Sequence, residues 1–185
     1  MKHEIENCLL VSVTYACAFS LTLGFITPLQ QILLPDVPSS IGLLFLPHGV
    51  RILAFYYYGW KAIIYLLPVT YLSLALSIQS GVNLDYLSPL VSLIVCYAGF
   101  LIASAFITAQ PKQPTIKMSH FFILTGALAS IFNGLSLSWL HFGKMQLIST
   151  LGYFIGDIAG LVVCFLLLIY GFRLARLANA EDSDP

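Results

Sequence analysis

Charged side chains are scarce in this chain. They make up 9% of its 185 residues, whereas 59% are hydrophobic and the mean hydropathy is +0.92. A soluble domain carries about 25% charged residues, and a chain this apolar has too little polar surface to cover its outside in water. The deficit excludes an ordinary soluble fold and indicates an integral membrane protein.

The sequence also lacks the short motifs that accompany most catalytic and metal sites. It has no nucleophile elbow, no Gly-rich phosphate loop and no metal-ligand spacing. Its four cysteines are scattered singly, which argues against a zinc site or a disulfide framework. General acid–base chemistry usually needs a second group, and Asp157 is the one carboxylate inside an apolar run. We therefore predict no enzymatic activity, no cofactor, no metal and no nucleic-acid partner.

Polar residues divide the chain into six apolar runs, each about as long as the roughly 20 residues that cross the hydrocarbon core as a helix. The runs are continuous rather than alternating, which favours helices over the strands of a barrel. We predict an all-α bundle of about six transmembrane helices in one domain, residues 1–176, followed by a short acidic tail, residues 177–185. The predicted helices are Asn7–Leu29, Ile41–Tyr58, Ala62–Ile78, Leu87–Phe106, His120–Trp139 and Leu147–Phe172.

Lysine and arginine are distributed unevenly among the connections. With the N-terminus in the cytoplasm, six basic residues fall on the cytoplasmic side, and Lys144 alone falls on the other. Because cytoplasmic loops are enriched in these residues, we predict that both termini are cytoplasmic. Residues 16–18 resemble a signal-peptidase site, so cleavage of the first helix stays open, although its apolar run continues to Leu29. The six cytoplasmic residues are Lys2, Lys61, Lys112, Lys117, Arg173 and Arg176.

Two ionisable residues fall in the middle of predicted helices, Arg51 in the second and Asp157 in the sixth. A charge in hydrocarbon is costly and marks a candidate functional site. Each lies about ten residues from the predicted start of its helix, at a depth of roughly 15 Å, so we predict that the two charges pair. A structural clamp and a ligand or signalling site explain such a pair equally well.

The residues around Arg51 favour a pocket. Pro47 and Gly49 interrupt helical geometry, and a broken helix at membrane depth is tolerated where it lines a cavity or is buried in protein. His48 lies three residues before Arg51, on the same helix face, and Asn133 can join the cluster from the fifth predicted helix. A simple proline kink is the alternative. The predicted ligand-binding residues are His48, Arg51, Asn133 and Asp157.

Small residues recur every four positions in the last two predicted helices. This spacing lets helix backbones approach closely in membranes. We predict close packing between these two helices or with a partner, which includes another copy of the chain, and packing inside one chain is the favoured alternative. The predicted packing residues are Gly126, Ser130 and Gly134 in the fifth helix, and Gly152, Gly156 and Gly160 in the sixth.

Two segments resemble the MASE1 family of membrane-embedded sensor domains in bacterial signalling proteins. Residues 45–50 (FLPHGV) with residues 59–62 (GWKA) are similar to the opening signature of the family, and residues 152–160 (GYFIGDIAG) to its glycine-aspartate-x-x-glycine helix. The resemblance implies a sensor in the bacterial inner membrane. The chain departs from the family at Leu46, where a tryptophan is expected, and at His48 and Arg51. It also ends in a short tail where MASE1 proteins carry a kinase or cyclic-dinucleotide domain, so output would pass through another protein.

The predicted function is a non-enzymatic, sensor-like or accessory membrane protein. It binds a small ligand or a membrane partner through a polar pocket around Arg51 and Asp157. The alternative is a substrate-binding or permease subunit of a small-molecule transporter, because a charged pocket at mid-depth suits both. The predicted partners are the lipid bilayer, a membrane or cytoplasmic signalling protein, and a second copy of the chain.

Overall fold

The computed structural model describes residues 2–36, 42–79, 85–107, 114–144 and 147–181, and within these ranges every regular element is helical. The predicted all-α class is confirmed for this part of the chain. Two helices, α1 (Lys2–Leu21) and α2 (Thr27–Leu33), join through a π-helical turn, Thr22–Ile26, into one continuous helix. The others are α3 (Leu46–Tyr58), α4 (Lys61–Gln79), α5 (Ser88–Ile107), α6 (Pro114–Phe142) and α7 (Leu147–Glu181).

The outside of the bundle is more apolar than parts of its inside. Ile64, Ile123 and Val162 are each more than half exposed, whereas an arginine, a histidine and an aspartate are buried. An apolar exterior around internally paired polar groups is what a bilayer requires. The helices that are long and apolar enough to cross a membrane are Lys2–Leu33, Lys61–Gln79, Ser88–Phe106, His120–Leu140 and Thr150–Leu174.

The structure corrects the second predicted helix. The helix α3 begins at Leu46 instead of Ile41, and its 13 residues reach only about 20 Å, short of the roughly 30 Å hydrocarbon core. Pro47 lies in the first turn of α3, where a missing N–H removes no intrahelical hydrogen bond. The chain is irregular over residues 42–45 and helical from Leu46, so the predicted broken helix is present and its alternative, a simple proline kink, is wrong.

Residues 42–45 form an irregular segment that enters the bundle before α3 begins. The N–H of Leu43 donates to Oε1 of Gln30 at 2.8 Å. The N–H of Phe45 donates to the carbonyl of Gly156 in α7 at 2.9 Å. Irregular backbone at membrane depth is tolerated where protein groups satisfy it in this way.

The glycine stripe of α7 packs against this irregular segment. A Cβ atom at Gly156 would collide with the carbonyl oxygen of Gly42, and one at Gly160 with the carbonyl oxygen of Phe45. The predicted neighbours of this stripe are the fifth predicted helix or a partner, so the structure corrects the prediction for Gly156 and Gly160. Two glycines one turn apart leave room for an irregular backbone segment as readily as for a second helix. The spacing alone therefore does not identify the neighbour.

The helix α6 does pack on α7, through its own small residues. A Cβ atom at Gly126 would collide with the side chain of Leu161, and one at Gly134 would lie 3.0 Å from the carbonyl oxygen of Thr150. Ser130 is fully buried, and Gly152 of α7 is buried as well. Small residues therefore serve close approach along both helices, although to different neighbours.

The short α3 occupies the centre of the bundle. It contacts α1, α4, α5, α6 and α7, and around it α1 packs on α4, α4 on α5, α5 on α6 and α6 on α7. Ile52 and Phe55 of α3 have no exposed surface. The polar residues of α3 therefore lie in the middle of the protein.

The last helix is longer than predicted. It continues past Phe172 to Glu181, so residues 177–181 of the predicted acidic tail are helical, and residues 182–185 lie outside the described ranges. Its 35 residues reach about 52 Å, more than the hydrocarbon thickness. The C-terminal end of α7 therefore extends beyond the part that packs in the bundle.

Candidate functional site

A chain of hydrogen bonds crosses the centre of the bundle from α3 to α7. Nη1 of Arg51 donates to Oγ of Ser92 at 2.7 Å, and Ser92 donates to Oδ1 of Asn133 at 2.7 Å. Nδ2 of Asn133 donates to Oδ2 of Asp157 at 3.0 Å. All four side chains are buried. This series of hydrogen bonds therefore links α3, α5, α6 and α7 through their polar groups.

The structure replaces the predicted ion pair of Arg51 and Asp157 with this relay. Asp157 has its ion-pair contact with His48 instead, whose Nδ1 lies 3.4 Å from Oδ2. The prediction measured depth from a helix start at Ile41, whereas α3 begins at Leu46. With that later start, His48 in the first turn of α3 lies next to Asp157, and Arg51 lies one turn further along.

Arg51 is 6% exposed, and its guanidinium contacts neutral groups. Beyond Ser92, its Nη2 donates to the Tyr15 hydroxyl at 2.9 Å. Its Cζ lies 5.6 Å from the ring centroid of Tyr15 and 5.4 Å from that of Phe45. These cation–π contacts offset part of the cost of burying the charge. Nε has no hydrogen-bond partner, and no carboxylate forms an ion pair with Arg51 in the described part of the chain.

A cavity of about 170 Å³ adjoins the relay. Arg51, Asn133 and Asp157 form part of its wall, so the structure places three of the four predicted ligand-binding residues around one space. His48 does not line the cavity and lies behind Asp157. The cavity lies toward the end of the bundle where α4 and α6 end and α5 and α7 begin. In the predicted orientation, that end faces away from the cytoplasm.

The hydroxyl groups that complete this wall are not among the predicted ligand-binding residues. Tyr15 and Ser92 contact Arg51 directly, and a stripe on α4, made of Thr70, Ser73 and Ser77, lines the cavity. The spacing of the stripe, three and then four residues, places it on one helix face and was readable in the sequence. Each hydroxyl hydrogen of the stripe bonds to a backbone carbonyl three or four residues earlier. Toward the cavity, these side chains therefore offer acceptors.

Comparison with known proteins supplies no relative. No family model matches the chain, and neither a curated protein nor a solved structure matches it significantly. The resemblance to MASE1 therefore rests on its short segments alone. Two of them contact each other in the structure, because the N–H of Phe45 donates to the carbonyl of Gly156.

The cluster contains charged and neutral polar groups. It combines one cation, one carboxylate–imidazole contact, one amide and several hydroxyls beside the cavity. Among the described residues, no group of three His, Cys, Asp or Glu side chains could hold a metal ion. The arrangement places hydrogen-bond donors and acceptors at the wall of the cavity.

Proposed function

We propose that this chain is a multi-pass membrane protein that binds a small polar ligand in the cavity beside Arg51, Asn133 and Asp157. It acts as a sensor-like or accessory component and performs no chemistry on the ligand. One observation carries the proposal: two buried, oppositely charged side chains line one cavity without pairing with each other. A purely structural clamp would bring the charges together, because their mutual attraction offsets part of the desolvation cost of both.

The position of α3 supports a sensor-like role. Arg51 belongs to the helix that contacts α1, α4, α5, α6 and α7. Through Ser92 and Asn133 it is also hydrogen-bonded into α5 and α6. A ligand that moves Arg51 therefore acts on most of the bundle at once. If the bundle has two conformations, such a ligand shifts the equilibrium between them only by the difference in its affinity for the two.

The irregular segment before α3 favours a transport subunit as the second candidate. Discontinuous helices whose termini lie near the bilayer midplane are a recurring feature of secondary transporters. Residues 42–45 followed by the short α3 form such an element, with Gly156 and Gly160 packed against it. Both candidates share the same first step, which is binding of a small polar solute in this cavity.

Ligand-induced stabilisation of the purified chain tests that shared step. In mild detergent, we expect at least one member of a panel of neutral, zwitterionic, anionic and cationic small solutes to raise the Tm. A ligand that binds only the folded state adds about 2.7 kcal/mol at 100 times its Kd. Asn133→Leu, which alters the cavity wall, should abolish the shift, and Thr14→Val on the exposed face of α1 should keep it. A panel without any saturable shift would refute the proposed function.

Identification of the bound partner separates the two candidates. Affinity purification in mild detergent that recovers a kinase or a cyclase in stoichiometric amounts supports the sensor. Recovery of an ATPase module supports the transport subunit. Reconstituted vesicles that accumulate a solute found by the panel would support transport directly and contradict the sensor as the primary role.

A further inference from the structure

Asp157 receives fewer hydrogen bonds than a buried carboxylate can accept. It is 3% exposed, and in the described part of the chain one hydrogen bond reaches it, from Nδ2 of Asn133 to Oδ2 at 3.0 Å. Nδ1 of His48 lies 3.4 Å from the same oxygen but forms no hydrogen bond. An ionised carboxylate has about four acceptor positions. Among the described residues, Oδ1 of Asp157 therefore has no donor.

This unpaired oxygen is accessible from the cavity. Nε of Arg51 and Nδ1 of His48 are enclosed by protein, whereas Oδ1 of Asp157 is not. Because Asp157 is buried and forms part of the cavity wall, the accessible surface of Oδ1 lies toward the cavity. A buried acceptor without a donor keeps its desolvation cost, and a charged acceptor costs more than a neutral one. A ligand that brings hydrogen-bond donors to Oδ1 removes that cost.

The hydroxyl stripe of α4 adds acceptors to the same cavity. The hydroxyl hydrogens of Thr70, Ser73 and Ser77 bond to backbone carbonyls, so their oxygens are left to accept. The wall therefore favours a group that carries several hydrogens. A primary ammonium group has a positive charge and three N–H donors, and a carboxylate binds it through charge-assisted hydrogen bonds. An ammonium group is thus the chemical match for Asp157.

Arg51 determines which kind of ammonium compound fits. The protein already engages its guanidinium, which donates to Ser92 and Tyr15 and lies over the rings of Tyr15 and Phe45. Its positive charge lies on the same cavity wall as Asp157. Charges interact across several ångströms of low-dielectric protein, so Arg51 repels a ligand with a net positive charge and attracts a negative group. This effect needs no unpaired donor on Arg51.

The two charges of the wall balance each other. In the described part of the chain, Arg51 and Asp157 are the Arg, Lys, Asp or Glu side chains that line the cavity, so a ligand without net charge is favoured over either ion. The space of about 170 Å³ is small, since one water needs roughly 10–15 Å³. We propose that the ligand of this cavity is a small zwitterion with a primary ammonium group, such as an amino acid. The ammonium group binds Oδ1 of Asp157, and the negative group lies toward Arg51.

This inference rests on the proposed function, and four matched probes test it on the unmodified chain. Serine is the zwitterion, ethanolamine lacks its carboxylate, glycerate carries a hydroxyl in place of its ammonium group, and glycerol has neither charge. Thermal unfolding of the full chain in a nonionic detergent, over a concentration series at neutral pH and constant ionic strength, gives an apparent Kd for each. We expect serine to bind at least roughly tenfold more tightly than the other three, because it alone brings an ammonium group to Asp157 without adding net charge.

Two variants identify Asp157 as the ammonium receptor. Asp157→Asn keeps the shape of the side chain and removes its charge, so serine should bind roughly tenfold more weakly. Glu4→Gln removes a carboxylate outside the cavity, where Glu4 pairs with Lys61, and should leave the Kd for serine unchanged. Equal Kd values for serine in the two variants would contradict binding of the ammonium group by Asp157.

A third variant tests the charge of Arg51. In Arg51→Gln the positive charge is absent from the wall, so a ligand with a net positive charge is no longer repelled. The preference for serine over ethanolamine should therefore fall roughly tenfold. A preference equal to that of the unmodified chain would contradict the part that Arg51 plays in selecting a zwitterion.

The outcomes separate the inference from the proposed function. Glycerate or glycerol that binds as tightly as serine would overturn the ammonium site, and ethanolamine that binds as tightly would overturn the zwitterion. Shifts caused by other solutes of the panel, with none from any zwitterion that has a primary ammonium group, would overturn the inference and leave the cavity a ligand site. A lack of any shift across the whole panel would refute the proposed function itself. The comparison of the four probes needs no variant, so it decides the inference even if Arg51→Gln or Asp157→Asn fails to fold.

Discussion

The hydrogen bonds of the polar relay all run in the same donor-to-acceptor direction, which strengthens them. Every link from Arg51 through Ser92 and Asn133 donates toward Asp157, with distances of 2.7, 2.7 and 3.0 Å. Hydrogen bonds aligned in this way polarise one another, and the low dielectric of the interior strengthens each. The same environment makes an interruption expensive, because every buried group left unpaired keeps its desolvation cost.

Asn133 is the residue at which the relay is most sensitive. Asn133→Leu preserves the volume but leaves the Ser92 hydroxyl without its acceptor and Asp157 without one donor. Each unpaired buried group costs about 1–3 kcal/mol, so we expect a clear loss of unfolding free energy in detergent. The matched control is Thr14→Val, whose hydroxyl bonds to the Leu10 carbonyl on an exposed face. Equal stability of the two variants would contradict the relay.

Double-mutant cycles distinguish the direct contact of Asp157 from its relayed one. Side chains in contact couple more strongly than side chains joined through intermediates. We therefore expect His48→Gln with Asp157→Asn to give a larger coupling energy than Arg51→Gln with Asp157→Asn. Thermal stability of the three single and two double variants, each measured against the unmodified chain, supplies both values. A larger coupling for Arg51 would restore the direct ion pair that sequence analysis predicted.

At the scale of elements, the contact between residues 42–45 and α7 shapes the site. The irregular segment delivers α3 to the centre of the bundle, and α7 receives it at Gly156 and Gly160. Gln30 at the end of α2 bonds to Leu43 from the other side. The segment is held by hydrogen bonds and by close backbone approach, with no regular structure of its own. Its position decides where His48 and Arg51 lie.

A single methyl group should disturb this contact. Gly156→Ala places a Cβ against the carbonyl oxygen of Gly42, a backbone atom that cannot swing aside. Overpacking of this kind costs about 1–3 kcal/mol, so the Tm should fall. Gly171→Ala on the same helix is the matched control, because no atom lies near its added Cβ. If both variants unfold at the same temperature, the close approach of the segment to α7 is incorrect.

At the scale of the whole molecule, the bundle places polar groups inside and apolar groups outside. One end of α1 is tied to the start of α4, since Glu4 pairs with Lys61 at 2.6 Å and accepts a hydrogen bond from Tyr65. Residue 4 and the turn between α3 and α4 therefore lie at the same end of the bundle. The cavity lies toward the opposite end. Membrane orientation thus decides which compartment the cavity lies nearer to.

Reporter fusions determine that orientation. The excess of basic residues on one side predicts that fusions after Lys61, Lys117 and the C-terminus report the cytoplasm, because positive loops are retained there. Fusions after Asp36 and Asp85 should report the opposite compartment. A cytoplasmic report after Asp85 would contradict the predicted topology and would turn the cavity toward the cytoplasm.

The composition and the distribution of apolar residues along the chain predicted the helical class and most helix positions. For each of α4, α5, α6 and α7, at least one observed end lies within a few residues of the predicted end. The agreement follows because hydrocarbon leaves the backbone few alternatives to a helix. The cost of an intramembrane charge also selected Arg51 and Asp157, together with His48 and Asn133 near them. These inferences depend on the residue types and on nothing else in the chain.

Tertiary structure decided the length of α3 and the pairing inside the site. Residues 42–45 are apolar like the helices around them, and what keeps them irregular is the room at Gly156 and Gly160 and the hydrogen bond to Gln30. The later start of α3 then brought His48, not Arg51, to Asp157. Helical spacing places residues on a face of their own helix, whereas a partner across the bundle depends on how far each helix is shifted along its axis, and packing sets that shift.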